Sequence, residues 1–157
     1  ARQVVAVDLS DEKLAFAREL GATMTVNARD PDAADQIKAG SHGGVEYAFE
    51  MAGSTRALDL AFRITRRGGT TVTAGLPPPT ATRALAPVTL VGEERTLKGS
   101  YIGTAVPSRD VPRYIELYRR GRLPGDRLMT GTLSLDEVNV GFDRLHDGAA
   151  IRQVIVL

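Results

Sequence analysis

The sequence has no cysteine, and its formal net charge is only +1. The lack of cysteine excludes disulfides and thiolate metal sites within the chain, and it leaves the redox compartment open. A net charge this small creates no strong field toward nucleic acid or an acidic membrane surface, and no apolar run is long enough to cross a bilayer. We therefore expect neither nucleic acid nor membrane as a partner, and we expect a cytoplasmic protein.

Size and composition fit one compact globular domain. The chain has 157 residues, of which 43% are hydrophobic and 25% are charged, and these are ordinary values for a soluble protein. It begins at Ala1 without Met and enters an apolar run at Val4. A start so close to a predicted strand favours a fragment of a longer protein.

Strands and helices alternate over the first half of the chain. The continuous apolar run Val4–Val7 predicts a strand that is covered on both faces, and Ser10 is a typical N-cap for a helix that ends at Gly21. The remaining predictions are strands over residues 23–27, 45–50 and 70–74, and helices that begin at Pro31 and Ser54, the second ended by Gly68-Gly69. This alternation predicts parallel strands with right-handed crossovers in a doubly wound α/β sheet.

The pattern changes after Leu76. Three consecutive prolines stiffen a long connection. The elements predicted beyond it are a strand over Thr96–Ile102, a helix over Ser108–Arg120, an extended segment over residues 128–132, a helix opened by the capping-box pair Ser134 and Glu137, and a closing strand over residues 153–157.

Asp8 ends the first predicted strand and is the most informative polar residue. An acid at this point of a nucleotide-binding fold accepts hydrogen bonds from an adenosine ribose and repels the extra phosphate of NADP. The residues alone also allow a solvated acid, an acid at a helix start, or the acid that methyltransferases place at a similar position. The G-x-G-x-x-G turn of dinucleotide-binding folds is absent from the sequence, so either the fold is of another kind or that piece is missing.

Five strings resemble the medium-chain dehydrogenase family, and within it the zinc-dependent alcohol dehydrogenases. They follow the family's order and spacing: Val4–Lys13 followed by Ala17–Thr23, then Phe49–Gly53, Ala74–Pro78, Arg95–Ser100 and Ile151–Val156. The resemblance starts at the family's second Rossmann strand, which implies a Rossmann-like sheet without its first strand and glycine-rich turn. It also implies a partial NAD-binding domain over residues 1–124 and, over residues 125–157, a C-terminal segment that returns to a catalytic domain preceding Ala1.

The resemblance implies roles for three residues at the adenosine end of NAD. Asp8 would hold the ribose, and Lys13 would reach the same ribose from the first helical turn, the alternative being a solvated lysine. Arg152 would bind the pyrophosphate, for which a bidentate guanidinium is suited; the alternative is a surface arginine on the closing strand.

A second group of residues would line the cofactor cleft, with Gly53 at the end of a strand and the others around the nicotinamide. A glycine in this group lets the backbone approach the ligand closely, although a glycine at the end of a strand can also serve only as a turn. The residues that the resemblance assigns to this group are Gly53, Ala74, Gly75, Leu76, Ser100 and Ile102.

The resemblance implies NAD and zinc as cofactors and an alcohol or aldehyde as substrate, with hydride passing between substrate and NAD. The zinc ligands and the proton relay would all precede Ala1, so we expect no catalytic residue and no metal site in this chain, and no activity from it alone. His42 and His146 stand in settings typical of surface histidines. Two other interpretations stay open: a non-catalytic nucleotide-binding or interaction module, and a methyltransferase-like domain, which fits Asp8 but not the string around Gly75.

Two expectations concern assembly. The segment Arg95–Ile102 resembles the edge strand by which these dehydrogenases pair two sheets across a twofold axis, so we expect a homodimer or another homo-oligomer. The absent first strand would lie between the strands at Val4 and Val45. Direct pairing of these two strands would shift every crossover by one strand width, so we expect the gap to be filled by another copy or by a separate piece.

Overall fold

A computed structural model describes all residues, 1–157. The chain divides into two compact units, Ala1–Thr104 and Ala105–Leu157. The first unit contains, in chain order, β1 (Val5–Asp8), α1 (Asp11–Glu19), β2 (Met24–Asn27), α2 (Ala33–Gly40), β3 (Val45–Glu50), α3 (Thr55–Ile64), β4 (Thr65–Thr73), α4 (Pro87–Gly92), β5 (Thr96–Gly99) and a 3-10 turn (Ile102–Thr104). The predicted alternation of strand and helix is confirmed.

All strand pairs of the first unit are parallel, as in a Rossmann-like fold. β1 pairs with β2, Val5 lying opposite Met24. β4 lies between β3 and β5, so that Val72 is opposite both Phe49 and Lys98. The strands nevertheless form two sheets, β1-β2 and β3-β4-β5. β1 and β3 share no ladder, which agrees with the prediction that these two strands do not close on each other.

One hydrophobic core serves both sheets of the first unit. Its buried members come from β2, α2, β3 and α3: Val26, Ala33, Ala34, Ile37, Ala48, Ala61 and Ile64. Val5, Val7 and Val45 pack against the same cluster. α2 and α3 therefore form a shared layer over one face of both sheets, while α1 packs against β1 and β2.

The opposite face of β3 is uncovered. Side chains of a strand alternate between its two faces, so Ala48 and Glu50 turn inward while Tyr47 and Phe49 turn outward. Tyr47 is 62% exposed, Phe49 64% and the following Met51 72%. These three residues make an apolar strip, named here the β3 strip, which no helix of the first unit buries.

Several element boundaries differ from the predictions. β4 begins at Thr65 rather than Thr70 and runs through Gly68-Gly69, which were interpreted as the end of a helix. A Cβ on Gly69 would lie 2.7 Å from Thr65 Cγ2 and 3.0 Å from the Glu46 carbonyl oxygen, so this glycine permits close packing of the strand. α2 begins at Ala33 with Asp32 as its N-cap, two residues beyond Pro31.

Two further differences lie after β4. β5 ends at Gly99 rather than Ile102, because the chain turns into the 3-10 segment, where the backbone φ of Ile102 is +50°. The short helix α4 was not predicted; it has Pro87 in its first turn, where the missing N–H of proline costs nothing.

The second unit contains α5 (Pro107–Arg119), β6 (Met129–Leu133), α6 (Val138–His146) and β7 (Arg152–Ile155), with 3-10 turns at Gly125–Leu128 and Leu135–Glu137. β6 and β7 are parallel, with Thr132 opposite Val154. The predicted capping box of Ser134 and Glu137 is confirmed, and hydrogen bonds from the Ser134 backbone and hydroxyl hold the pKa of Glu137 below its usual range. The units divide before α5; the family-domain boundary at residue 124 stays a prediction.

Candidate cofactor-binding site

The turn from β1 into α1 fixes the carboxylate of Asp8. Asp8 is partly buried at the end of β1, and its Oδ1 accepts a hydrogen bond of 2.9 Å from the Ser10 backbone N–H. Ser10 is the N-cap of α1, and its hydroxyl accepts from the Lys13 N–H at 3.4 Å. Asp8 and the Lys13 backbone therefore both bond to Ser10 in this turn, and their roles at the ribose stay predictions.

Two loops meet at the carboxyl ends of β3 and β4. A Cβ on Gly75 would lie 2.0 Å from the backbone nitrogen of Gly53. Gly53 has φ +67°, and its own Cβ would lie 2.9 Å from the carbonyl carbon and oxygen of Leu76. Neither position has room for a side chain. Gly53, Ala74, Gly75 and Leu76, assigned from the resemblance to one cleft, are brought together here.

Glu50, for which no role is predicted from the sequence, ties these loops together. It is only 3% exposed. Its Oε1 accepts from the N–H groups of Ala52 and Gly53, both at 2.7 Å, and its Oε2 accepts from the Thr73 hydroxyl at 2.8 Å. The Glu50 carbonyl also accepts from the Ala74 N–H at 2.9 Å. An acidic residue at an inward strand position, three residues before a glycine, is the signal that could have revealed it.

Ser100 and Ile102 lie on the next segment of the same unit. The Ser100 N–H donates to the Thr73 carbonyl at 2.9 Å, which places Ser100 beside the end of β4 and next to the glycine loops. Ile102 is 68% exposed. Its apolar side chain is therefore free to contact a ligand, but nothing in the unit holds it against the cleft.

Arg152 belongs to the second unit, whereas the residues above belong to the first. It is the first residue of β7, its side chain is exposed, and its Nη1 donates to the Ile151 carbonyl at 2.8 Å. Its role at a pyrophosphate stays a prediction.

The first-unit residues fit a dinucleotide. The glycine contact lies at the carboxyl ends of parallel strands, where ligands of open α/β sheets bind. A cavity of about 240 Å³ adjoins it, lined in part by Glu50, Ser54 and Thr73. Ser54 is the N-cap of α3, and its side chain makes no capping hydrogen bond. No three His, Cys, Asp or Glu side chains group as metal ligands, and no helix is long and apolar enough to cross a membrane.

Residues 1–120 match the family profile described as zinc-binding dehydrogenase. This chain belongs to the zinc-binding dehydrogenase family. Two curated relatives match nearly all of it. S-(hydroxymethyl)glutathione dehydrogenase of Paracoccus denitrificans is 32% identical over 169 residues, which are 99% of this chain and 44% of the relative. Alcohol dehydrogenase 1 of Oryza sativa subsp. indica is 32% identical over 158 residues, 99% of this chain and 41% of the relative.

Two solved structures of alcohol dehydrogenases carry the same fold. Benzyl alcohol dehydrogenase from Acinetobacter calcoaceticus superposes with a TM-score of 0.93 at 28% identity, over 99% of this chain and 42% of that one. An alcohol dehydrogenase zinc-binding domain protein from Burkholderia ambifaria gives a TM-score of 0.92 at 29% identity, with the same coverage. The chain thus spans less than half the length of these relatives, and it matches their C-terminal portion.

Proposed function

We propose that this chain is the cofactor-binding portion of an NAD-dependent, zinc-type alcohol dehydrogenase that transfers hydride between an alcohol and NAD. The observation that carries the proposal is the contact between Gly53 and Gly75 at the carboxyl ends of β3 and β4. The fixed carboxylate of Asp8 at the end of β1 supports it. The named activities of the matching relatives point to the same reaction class.

In this proposal, different residues contact different parts of NAD. The Asp8 carboxylate accepts from the hydroxyls of the adenosine ribose, and Lys13 contacts the same sugar. The backbone of Gly53 and of residues 74–76 lies along the nicotinamide, beside Ser100 and Ile102. Arg152 neutralises the pyrophosphate. When bound, NAD supplies the hydride acceptor.

Asp8 also sets the choice of cofactor. Its Oδ1 is already occupied by the Ser10 N–H, so the carboxylate is held in one orientation. A 2′-phosphate on the ribose would meet this negative charge at close range, and like charges at such distances repel strongly. NAD is therefore preferred over NADP.

We also propose that the complete enzyme binds zinc, through residues outside this chain. The zinc ligands lie in the part of the relatives that the chain does not match, where zinc would polarise the alcohol or carbonyl oxygen as a Lewis acid. Residues 125–157 form the segment that returns to that catalytic part, and residues 1–124 form the partial NAD-binding domain. We further propose a homodimer that pairs through the Arg95–Ile102 edge and a cytoplasmic location.

The experiment that tests the function starts from the complete gene product, purified from its source cells. Its intact mass is measured, its zinc content is determined, and reduction of NAD is followed with primary alcohols, benzyl alcohol and S-(hydroxymethyl)glutathione. A product of more than twice 16.8 kDa that contains zinc and reduces NAD with one of these alcohols supports the proposal. A native product near 16.8 kDa that binds nucleotide without turnover identifies a non-catalytic module instead.

A further inference from the structure

A second cavity of the first unit is lined by positive charge. Its volume is about 280 Å³. Four of its lining side chains are cationic, contributed by α2, by the last turn of α3 and by the segments before α4 and β5: Lys38, Arg63, Arg83 and Arg95. Phe62, which is buried, and Thr89 belong to the same wall.

Two of these arginines are partly buried around one aromatic ring. The Arg83 and Arg95 guanidinium carbons lie 5.3 Å and 5.1 Å from the centre of the Phe62 ring. The Arg95 side chain is only 10% exposed and that of Arg83 17%. The Nε of each is buried and has no hydrogen-bond partner. Both Nε atoms are shielded from solvent, as is the unpartnered Oε2 of Glu93, so a ligand in the cavity meets the outer part of the two guanidinium groups.

The carboxylates nearby do not balance this charge. Arg83 pairs with Asp59 at 2.7 Å, and Arg95 pairs with Glu93 and also donates to the Phe62 carbonyl. Lys38 and Arg63 form no ion pair within the chain. Four cations and two carboxylates leave two positive charges around a cavity of small-molecule size.

We propose that this cavity binds a phosphate dianion, either free or carried by a small phosphorylated molecule. Phosphate carries nearly two negative charges at neutral pH and offers three or more acceptor oxygens. Guanidinium groups present planar, paired donors that match those oxygens, and the guanidinium groups of Arg83 and Arg95 line the cavity. Lys38 and Arg63 add the charge at the more exposed side.

The phosphate cavity is distinct from the cofactor loops. Arg63 lies in the last turn of α3 and Arg95 directly precedes β5, whereas Gly53 and Gly75 lie before α3 and after β4. Arg83 is shared, because it also lines the cavity beside Glu50. The test therefore includes NAD as a competitor.

The experiment titrates the complete gene product with inorganic phosphate, and separately with glucose 6-phosphate, by calorimetry at constant ionic strength. Saturable binding is expected. Arg63→Gln combined with Lys38→Gln weakens it by at least about tenfold, as loss of charge-assisted hydrogen bonds predicts. Arg18→Gln is the matched control, because Arg18 lies in the last turn of α1 as Arg63 does in α3, and it leaves the affinity within about twofold. Tighter binding of glucose 6-phosphate identifies a phosphorylated metabolite, and equal binding identifies free phosphate.

Four results would overturn the proposal. Two concern phosphate itself: no saturable binding in the millimolar range, or a loss of phosphate affinity in Arg18→Gln equal to that of the double variant. The other two concern competitors: NAD displaces phosphate completely, or a hexaglutamate peptide binds the protein and phosphate does not displace it. Circular dichroism of each variant confirms that a loss of binding reflects the cavity rather than the fold.

Discussion

The backbones of Gly53 and Gly75 touch across two loops. A Cβ on Gly75 would lie 2.0 Å from the nitrogen and 2.5 Å from the Cα of Gly53. Because the obstacle is backbone rather than a flexible side chain, one of the loops must move to admit even a methyl group.

Gly75→Ala is therefore expected to destabilise the protein by about 1–3 kcal/mol, the usual cost of overpacking, and to weaken NAD binding by displacing the loop. Urea unfolding and NAD titration of the complete gene product measure the two effects. Gly92→Ala is the control, since a Cβ there meets nothing within 4 Å. If Gly75→Ala unfolds and binds NAD like the unmodified protein, the loops do not meet as described.

Asp8→Ser is expected to erode the preference for NAD over NADP. Removing the carboxylate removes both an acceptor for the ribose and the repulsion of a 2′-phosphate, so the ratio of kcat/KM for the two cofactors should shift by about tenfold or more, equivalent to about 1.4 kcal/mol. Glu12→Gln removes an exposed acid from the same helix start and should leave the ratio unchanged. Equal use of both cofactors by the unmodified protein would show that Asp8 has another role.

Residues 1–157 expressed alone are expected to aggregate or to melt at low temperature, to bind NAD poorly and to hold no stoichiometric zinc. The β3 strip of Tyr47, Phe49 and Met51 is exposed, and β1 and β3 each have a free edge, which promotes association. Phe49→Lys should raise the solubility of this piece, whereas the same change at the exposed Phe142 of α6 should help less. A monomer with a cooperative, high-temperature melt and tight NAD binding would contradict the prediction.

Leu97→Pro is expected to convert a dimer into a monomer. β5 is the outer strand of its sheet, and all four of its residues are exposed, so its free edge is open to a second copy. Proline removes a backbone donor from that edge. Light scattering measures the mass, and circular dichroism checks that the variant is folded. A dimer of unchanged stability would exclude this edge as the interface.

Asp110 makes the second unit sensitive to acid. Its side chain accepts from the Arg109 guanidinium at 2.7 Å and from the Val106 N–H at 2.8 Å, and these interactions, the Arg109 bond first, lower its pKa from 3.8 to about 2. A lowered folded-state pKa adds stability that is complete above about pH 4 and is lost as the pH falls toward 2. Asp110→Asn should lower the melting temperature at pH 7 and flatten its fall between pH 5 and 2. Asp143→Asn, on the exposed side of α6, should do neither.

Some elements could be predicted because their signals are local. Val4–Val7 is apolar without interruption, and Ser10 stands directly before two acids, so β1 and the start of α1 follow from near neighbours alone. Gly68-Gly69 was wrongly predicted to end a helix, because that prediction also depended only on neighbouring residues. Two glycines indicate a break locally, but in the fold a Cβ on Gly69 would meet Thr65 and Arg66 of the same strand and also the Glu46 carbonyl oxygen, more than twenty residues earlier.

In the site too, features with local sequence signals could be predicted and contacts made only on folding could not. Asp8 and the glycines at 53 and 75 could be assigned from strings that resemble a family, and the structure groups the glycines. The partners of Glu50 could not be predicted, because its hydrogen bonds depend on β4 lying beside β3 and on Thr73 reaching the same carboxylate. Arg83 and Arg95 are twelve residues apart and share a ring only after folding.

The hydrogen bonds of Glu50 couple two stretches of chain that are distant in sequence. One carboxylate holds the amides of Ala52 and Gly53 on one side and the Thr73 hydroxyl on the other, and the backbone carbonyl of the same residue holds Ala74. Neither loop can fray without giving up bonds that also anchor its neighbour, so local unfolding at this edge involves both loops as one cooperative unit. The rates at which a ligand enters and leaves would then be limited by the rate at which both loops open together.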